Sequence, residues 1–475
     1  MTHTWTTDNP YLSGSYAPVT EELTGEATLI EGEIPRDLWG VFVRNGPNPK
    51  YEPQGRHHWF DGDGMLHAVH LENGKATYRN RYVRTAGLAA DEQAQRALWM
   101  GIHEPTHENP KGIPYKDTAN TDVLFHAGEL QALWYICGAP YRVDPVSLET
   151  RGINSFGGKR TTSVSAHAKV DPRTGELVFF EYGPRPPYMR YGVVDHTGTQ
   201  RHAVDISLSG PRLPHDMAIT EHYSVLMDLP VFPDPEGLKQ RRWRTSFSRD
   251  IPARFGVIAR HGAAESIRWF DASPCYIYHS VNAWEEGDEI VLVGCRVEDP
   301  FPAPLESDGR YGAMMANLRV RARLHEWRFN LKTGACRERA LDDRNTEFPS
   351  IARARTGVKT RYSYNVDMNI ASTLLFDGIV KYDLETGKTQ EHAFGAGRFG
   401  SESPFAPTAG GKNEDDGYVL SFVHDSREGH SELVILDARD LARGPVARLR
   451  LPQRVPLGFH ATWVPGEQLN PSGAA

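Results

Sequence analysis

The stretch Glu286-Gly287-Asp288-Glu289-Ile290-Val291-Leu292-Val293 decides the fold class, because a tight turn leads directly into a run of aliphatic residues. A turn of this kind beside such a run is typical of a β-hairpin. Further turn signals beside β-rich runs are Glu72-Asn73-Gly74, residues 171–175, His196-Thr197-Gly198, Lys332-Thr333-Gly334, Glu385-Thr386-Gly387 and Asp415-Asp416-Gly417. The sequence therefore predicts an all-β protein built from many hairpins.

These hairpins extend over the whole 475-residue chain without regular alternation of strands and helices. Such a pattern indicates a closed sheet or radially repeated sheets. A β-propeller would leave only short, protected strand edges in a chain of this length. We expect one domain over residues 1–475, because closed β architectures can grow well beyond the usual domain size.

Four histidines lie far apart in the chain, each in or beside a short apolar segment: His167, His215, His279 and His460. The chain has 20 histidines, and a histidine without a local pattern is usually structural or exposed. If the four segments converge, however, four neutral imidazoles would suit iron, copper, nickel or zinc better than magnesium or calcium. The histidines alone leave both interpretations open.

Longer motifs favour the metal site. They are Ile-Pro-Arg-Asp-Leu-Trp-Gly-Val-Phe-Val-Arg-Asn-Gly-Pro-Asn-Pro at 34–49, Trp-Phe-Asp-Gly-Asp-Gly-Met-Leu-His at 59–67, Thr118-Ala119-Asn120-Thr121 and Glu347-Phe348-Pro349. Together with the histidine segments, and in the same order, these motifs resemble the carotenoid cleavage oxygenase family. That family also contains the lignostilbene dioxygenases and the retinal pigment epithelium isomerase. The resemblance runs from about Asn9 to about Pro465.

The resemblance implies a seven-bladed β-propeller with a dome of loops and short helices over one face. It further implies that His167, His215, His279 and His460 hold Fe(2+). The expected reaction is cleavage of a carbon-carbon double bond by O2 to give two carbonyl products. Inner strands of different blades lie beside the propeller axis, so ligands distant in sequence can meet there, each on its own rigid sheet.

The resemblance also assigns residues around the metal. Glu347 and Glu402 occupy two of three family positions whose carboxylates bond to metal-bound imidazoles, although a single glutamate is more often an exposed surface acid. The third position holds Tyr135, whose phenol oxygen can accept a hydrogen bond but carries no charge. Thr121 is expected close to the open metal position, with an ordinary β-strand threonine as the alternative.

Aromatic residues near the matched motifs are candidates for an apolar substrate tunnel, namely Trp59, Phe60, Trp134, Tyr135 and Phe459. The lignostilbene branch holds a phenol hydroxyl with a tyrosine and a lysine, where this chain has Ile102 and Trp134. Apolar residues at these positions favour a long polyene, so we expect a carotenoid or apocarotenoid substrate. A stilbenoid or phenylpropenoid alkene is the first alternative. A propeller without catalytic activity, used as an interaction scaffold, is the second.

Two short motifs suggest other classes of enzyme. His103-Glu104-Pro105-Thr106-His107 matches the HExxH string of metalloproteases, but Pro105 would interrupt the helix that this chemistry requires. The glycine string at 395–400 matches GxGxxG, yet Ser-Glu-Ser-Pro-Phe follows it instead of a helix that could hold a pyrophosphate. We therefore predict neither a protease nor a dinucleotide site.

Composition limits the partners. The net charge of -8 argues against nucleic acid binding, and the absence of 18 consecutive apolar residues or of a signal-peptide pattern predicts neither a transmembrane segment nor secretion. The basic run at 239–244 is expected in a solvated loop, with peripheral contact to a membrane for substrate uptake as the alternative. The cysteines, Cys137, Cys275, Cys295 and Cys336, lie too far apart for CxxC metal sites. We expect them to be reduced in a cytoplasmic protein that can associate with a membrane.

Overall fold

The computed structural model describes residues 5, 7–158, 163–369 and 373–469. Seven antiparallel sheets form the blades of a β-propeller, which confirms the fold class predicted above. Each turn signal named above connects two strands that pair with one another, as predicted. Glu286 lies opposite Glu289 across one such turn, beside the aliphatic run quoted first.

The blades are numbered here from the first chain segment, and their strands are given from the axis outward. Blade 1 contains Ala461–Pro465, Gly40–Pro47, Gly64–Glu72, Lys75–Tyr82 and Thr24–Glu26; blade 2, Asp122–His126, Glu129–Leu133, Tyr141–Val143 and Thr150–Ile153; blade 3, Lys169–Val170, Leu177–Tyr182, Tyr188–Val194 and Gln200–Ser207; blade 4, Ala218–Ile219, Tyr223–Asp228, Ala253–Ala259 and Arg268–Ala272; blade 5, Tyr276–Glu286, Glu289–Val297, Ala322–Asn330 and Cys336–Ala340; blade 6, Thr346–Ser350, Tyr362–Asn369, Leu375–Asp383 and Thr389–Ala393; blade 7, Phe405–Pro407 with Arg398–Phe399, then Gly417–Asp425, His430–Asp437, Pro445–Arg450 and Thr28–Gly32.

The innermost strands of neighbouring blades contact one another around the axis. Asp122–His126 packs against Ala461–Pro465, and Tyr276–Glu286 packs against both Ala218–Ile219 and Thr346–Ser350. Side chains at the ends of these strands therefore lie close together although they are far apart in the sequence.

Both ends of the chain close the ring of blades. Near the N-terminus, Thr28–Gly32 pairs with Pro445–Arg450 in blade 7, while Ala461–Pro465 pairs with Gly40–Pro47 in blade 1. Phe42 lies opposite Trp463 in this second pairing. Its ring centroid is also 4.6 Å from that of Phe422 in blade 7. The two closing pairings thus join the first and last blades, and the extent of one domain over residues 1–475 stays a prediction.

Long connections form a dome over one face of the propeller. They carry the two-stranded ribbon Val231–Pro233 and Thr245–Phe247, the α-helices Ala86–Ala94, Pro235–Lys239 and Gly312–Ala316, and the short 3-10 helices Trp59–Asp61, Thr106–Glu108 and Glu306–Tyr311. Other short helices of the described chain are Pro10–Leu12, Gly14–Tyr16, Phe156–Gly158, Ala264–Ser266, Arg353–Arg355, Leu441–Arg443 and Gly466–Leu469. Trp59, Met315 and Phe459 belong to one buried apolar cluster, so the dome and the blades share a core.

The two rejected motifs have no helix of the required kind. Only the one-turn helix Thr106–Glu108 follows Pro105, and Arg398–Phe399 in the glycine string is a strand. All four cysteines are free thiols. Among the described residues, none of the helices has the length and apolar character needed to cross a bilayer.

We predict that Trp463→Ala lowers the stability of the closed ring by about 3 to 5 kcal/mol, the usual cost of removing a buried aromatic side chain. The matched control is Ile30→Ala, because Ile30 is 46% exposed on the other closing strand and its loss should change stability by less than about 0.5 kcal/mol. The urea midpoint of unfolding measures both effects. Equal urea midpoints for the two variants would show that Trp463 does not stabilise the closed ring more than the exposed Ile30 does.

Candidate metal centre

Histidine rings from different blades meet at the propeller axis. Ring centroids are 4.5 Å apart for His167 and His460. They are 4.6 Å apart for His279 and His460, and 4.9 Å apart for His167 and His279. One ring nitrogen from each of these three buried side chains lies within 4.8 Å of the other two, a spacing at which they could hold a metal ion.

His215 lies beside this group of three. Its ring centroid is 4.8 Å from that of His167 and 5.3 Å from that of His279. It does not join the three-nitrogen group at the same close spacing, and it is less buried than the other three. Its role as a fourth ligand is therefore part of the proposal below.

The rings come from four blades, and each ring lies on, or just before, an innermost strand. These strands are Lys169–Val170, Ala218–Ile219, Tyr276–Glu286 and Ala461–Pro465. Ligands held on different rigid sheets keep their mutual geometry better than ligands on loops do.

Asp122 fixes the backbone at His167. Its Oδ2 accepts a hydrogen bond of 2.9 Å from the backbone N–H of His167. His167 has a φ of 68°, in the left-handed region that costs a non-glycine residue about 1 to 3 kcal/mol. The hydrogen bond from the neighbouring blade thus stabilises a backbone conformation that the chain alone would disfavour.

Asp216 joins the His215 segment to the His279 strand. Its Oδ2 accepts hydrogen bonds from both the backbone N–H and the hydroxyl of Ser280, each 2.7 Å long. Its Oδ1 lies 2.7 Å from the Nζ of Lys169. This buried carboxylate therefore connects the inner ends of three neighbouring blades.

Asn45 likewise connects axial segments, on the other side of the ring of blades. Its backbone N–H donates to the carbonyl of His460 over 2.9 Å, and its carbonyl accepts from the N–H of Phe459 over 3.0 Å. Its side-chain amide donates to the carbonyls of Ala119 and Asp122, at 2.8 and 3.0 Å. One residue of the long N-terminal motif thus holds two axial segments together.

Two buried glutamates bond to histidine rings. Glu347 bonds to Nδ1 of His279, and Oε1 of Glu402 lies 3.1 Å from Nδ1 of His460. A backbone N–H donates to each carboxylate as well, from Phe348 and Ala461 respectively. Since the carboxylates accept from Nδ1, the lone pair of each ring is left on Nε2.

Burial sets the protonation states. It lowers the pKa of His167, His215 and His279 well below the usual value, and the neighbouring histidines lower it further. Burial also raises the pKa of Glu347 to about 8, and a cation held by the His279 ring would lower it again and keep the carboxylate ionised. At His460, burial acts to lower the pKa, but the charge and hydrogen bond of Glu402 outweigh it and raise the pKa. His167, His215 and His279 are therefore neutral, and neutral imidazoles keep the lone pairs that a metal ion requires.

The donor set fits a transition-metal ion. Nε2 of His167 and Nε2 of His279 are buried and have no hydrogen-bond partner among the described residues. Buried polar atoms almost always have a partner, so these unpaired nitrogens indicate a ligand-binding position. Neutral imidazoles favour iron, copper, nickel or zinc.

Tyr135 does not replace the third carboxylate. Its ring centroid is 6.2 Å from that of His215, and no hydrogen bond joins the two rings. His215 is therefore held less firmly than His279 or His460. The difference follows from the missing carboxylate rather than from the fold, since all three rings lie at inner strands.

Thr121 lies at the edge of the histidine group. Its hydroxyl donates to Oδ1 of Asn120 over 2.9 Å and accepts from the backbone N–H of Tyr135 over 3.2 Å. The hydroxyl is therefore already engaged. Thr121 also lines the cavity beside the rings.

An apolar cavity of about 50 Å³, here called the metal pocket, covers the dome side of the rings. Four of the five residues predicted to line a substrate tunnel line the metal pocket, namely Trp59, Phe60, Tyr135 and Phe459. Its wall also contains His215, His279 and His460. Trp134 lies outside it and borders a separate cavity beside Asp63 and Lys116. The chain turns directly after Trp134, where the Cys137 N–H donates to the Trp134 carbonyl, so the two neighbouring side chains lie in different surroundings.

Sequence reasoning missed Asp122, Asp216 and Asn45. Each of them acts through a hydrogen bond to a backbone group of another blade, which no spacing in one sequence displays. A signal was present for two of them, since Asp216 follows His215 directly and Asn45 lies in the longest matched motif.

A propeller that gathers neutral imidazoles and their carboxylate partners beneath an apolar pocket defines a metal-dependent enzyme for an apolar substrate. Residues 16–465 match the family model described as retinal pigment epithelial membrane protein. The chain belongs to this family, the carotenoid oxygenases, as the sequence motifs predicted.

Relatives in this family are dioxygenases. The chain is 39% identical to the carotenoid 9,10(9',10')-cleavage dioxygenase of Crocus sativus, over 97% of this chain and 90% of that one. It is 33% identical to a carotenoid cleavage oxygenase of Mycobacterium tuberculosis, over 96% and 98% of the two chains. Membership of a family of oxidative alkene-cleaving enzymes confirms the predicted enzyme class and argues against the scaffold alternative.

Solved structures agree with the fold. The lignostilbene dioxygenase of Pseudomonas brassicacearum superposes with a TM-score of 0.87 at 30% identity, over 97% of this chain and 99% of that one. The cobalt-substituted apocarotenoid oxygenase of Synechocystis superposes with a TM-score of 0.84 at 27% identity, over 94% and 97%.

We predict that Glu347→Gln and Glu402→Gln each weaken metal binding by about 10- to 100-fold, the usual effect of losing a carboxylate behind a metal-bound histidine. Metal retained after dialysis against a graded chelator series measures this. Glu414→Gln is the matched control, since this buried carboxylate bonds to the Tyr362 backbone N–H and not to a histidine of the group. If all three variants retained the same amount of metal, neither Glu347 nor Glu402 would belong to the metal centre.

Proposed function

We propose that the protein is a non-haem Fe(2+) dioxygenase that cleaves one double bond of a carotenoid or apocarotenoid with O2 to give two carbonyl products. His167, His215, His279 and His460 would hold the iron. The observation that carries the proposal is that His279, whose Nε2 is buried and unpaired, lines the apolar metal pocket together with His215 and His460. Bound iron would supply the redox chemistry with O2.

The protein's own residues would orient the alkene and exclude water. Trp59, Phe60 and Phe459 form a contiguous aromatic surface, with centroids 4.3 Å apart for Trp59 and Phe459 and 5.1 Å apart for Phe60 and Phe459. A conjugated hydrocarbon chain packs against such aromatic faces, and it has no hydrogen bonds to water that binding would break. Thr121 would limit the space at the open metal position.

The substrate passage continues beyond the metal pocket. A second cavity of about 80 Å³, here called the outer cavity, shares Phe60, Tyr135 and Leu318 with the metal pocket. Ile102 lines this outer cavity at the position where the lignostilbene branch has a polar anchor. An apolar side chain there supports a polyene substrate.

Cleavage of a stilbenoid or phenylpropenoid alkene by the same chemistry is the second candidate. It is favoured by the superposition on a lignostilbene dioxygenase at 30% identity. The higher identity of 39% to a carotenoid cleavage dioxygenase supports the polyene instead. A panel of carotenoid, apocarotenoid, stilbene and vinylphenol substrates, assayed for aldehyde products, separates the two.

Peripheral contact with a membrane would bring such a substrate to the passage. Leu238 is 58% exposed, beside the exposed basic residues Lys239, Arg241 and Arg244. The chain then runs through Trp243, which lines the outer cavity. An exposed leucine among cations suits the surface of an anionic bilayer. The cytoplasmic location predicted from the sequence stays a prediction.

We predict that alanine at His167, His215, His279 or His460 abolishes alkene cleavage, because a metal that lacks one of four rigid ligands is lost or mispositioned. Iron content should be near one per chain in the wild type, and turnover is followed as O2 uptake and aldehyde formation. His126→Gln is the control, since this buried ring lies on the inner strand of blade 2 and bonds to the Gly175 carbonyl instead. Full turnover in any of the four alanine variants would exclude that histidine.

We predict that Leu238→Ser lowers partitioning onto anionic vesicles at least about 5-fold, since burial of a leucine side chain contributes about 1.5 to 3 kcal/mol. Added salt should weaken binding of the wild type as well, because the basic residues are exposed. Ile153→Ser is the control, since Ile153 is 49% exposed on an outer strand of blade 2. Vesicle sedimentation measures the bound fraction, and equal loss in both variants would contradict a specific contact.

A further inference from the structure

His58 is a buried polar residue that the iron chemistry does not use. It is 2% exposed and lines the outer cavity, one residue before Trp59 in the metal pocket. Its ring centroid is 5.0 Å from that of His103 and 4.6 Å from that of Phe60. The ring is thus part of the passage and not of the histidine group at the axis.

The hydrogen bonds of His58 identify its tautomer. Its Nδ1 accepts the backbone N–H of Phe60 over 3.1 Å, and its own backbone N–H donates to Oδ2 of Asp61 over 2.7 Å. A ring nitrogen that accepts a hydrogen bond carries no proton, so in a neutral imidazole the proton lies on Nε2. Burial, together with His103 and His57, lowers the pKa of His58 well below the usual value, so the ring is neutral.

The Nε2–H of His58 has no acceptor. Within the described part of the chain, this buried atom has no hydrogen-bond partner. An unpaired buried donor is unfavourable, and native proteins rarely retain one without a reason. The neighbouring His103 differs, because its ring already bonds to the Trp243 backbone.

His58 lines the outer cavity, and this cavity lies beside the metal pocket. The outer cavity meets the metal pocket at Phe60, Tyr135, His215, Tyr278 and Leu318. A polyene with its scissile bond at the rings would therefore place one of its ends in the outer cavity. Around that end, the wall is apolar at Ile102, Leu213 and Val231.

We propose that His58 is a specificity-determining residue, whose Nε2–H donates a hydrogen bond to an oxygen at the end of the substrate that lies in the outer cavity. This inference rests on the proposed function. It narrows the substrate class to polyenes that carry a terminal hydroxyl or carbonyl group. A hydrocarbon end would bury the donor without a partner, so the site disfavours it.

The experiment compares three polyenes of equal carbon number that end in an aldehyde, a primary alcohol or a methyl group. Their dissociation constants are measured with the anaerobic iron enzyme, by quenching of tryptophan fluorescence, and their kcat and KM in air. A site with a hydrogen-bond donor rejects an analogue that lacks the acceptor. We expect the wild type to prefer the two oxygenated polyenes by about 10- to 100-fold, in dissociation constant and in KM rather than in kcat.

The test variant is His58→Asn. Asparagine is a good helix N-cap, so it can still accept the Phe60 N–H, while its shorter side chain withdraws the donor from the cavity. We expect it to lose the preference, with unchanged iron content and unchanged use of the methyl-ended polyene. His58→Gln, whose amide reaches further, should restore part of the preference.

His103→Asn is the matched control, since it alters the same cavity but removes no unpaired donor; its preference should remain. Equal binding of all three polyenes by a wild type that cleaves them would overturn the role of His58 and leave the proposed function intact. A preference that survives in His58→Asn would also overturn it. Failure of the iron enzyme to bind or cleave any of the polyenes would overturn both.

Discussion

The structure depends on keeping imidazoles neutral and correctly aimed in a place from which water is excluded. Imidazole rings with centroids about 5 Å apart cannot all take up a second proton and become cations, because each buried positive charge would repel the others. Burial alone would leave the rings free to turn. Glu347 and Glu402 supply the missing constraint, since a carboxylate on Nδ1 fixes the tautomer and directs Nε2 to the axis. The propeller allows this arrangement because the innermost strands of its blades lie side by side at the axis.

The axial ends of the blades are joined by polar side chains as well as by apolar packing. Asp122, Asp216 and Asn45 each connect segments of different blades through backbone groups. Such bonds are directional, whereas apolar contacts are not, and ligand positions require direction. Buried carboxylates are costly unless fully bonded. Their presence here is consistent with a site whose geometry matters more than its contribution to stability.

Much of the fold and of the centre could be predicted from the sequence. The turn signals predicted the hairpins, and the family motifs predicted the number of blades and the convergence of the histidine segments. Trp134, which was predicted as a tunnel residue because it lies near a matched motif, does not line the metal pocket with Tyr135, since the chain turns between the two side chains. The absence of a bond between Tyr135 and His215 was also not predictable. A phenol can accept a hydrogen bond, and only the distance between the rings shows that this one does not.

The unpaired ring nitrogens of His279 and His58 are of two chemical kinds, and their positions separate two tasks. At the axis, Nε2 of His279 must carry a lone pair, because Nδ1 of the same ring bonds to Glu347. In the dome, Nε2 of His58 must carry a proton, because its Nδ1 accepts from Phe60. The axis therefore requires an electron-pair acceptor, which a metal ion is, and the dome requires an electron-pair donor, which an oxygen is. Strands hold the first kind and a loop with a single helical turn holds the second.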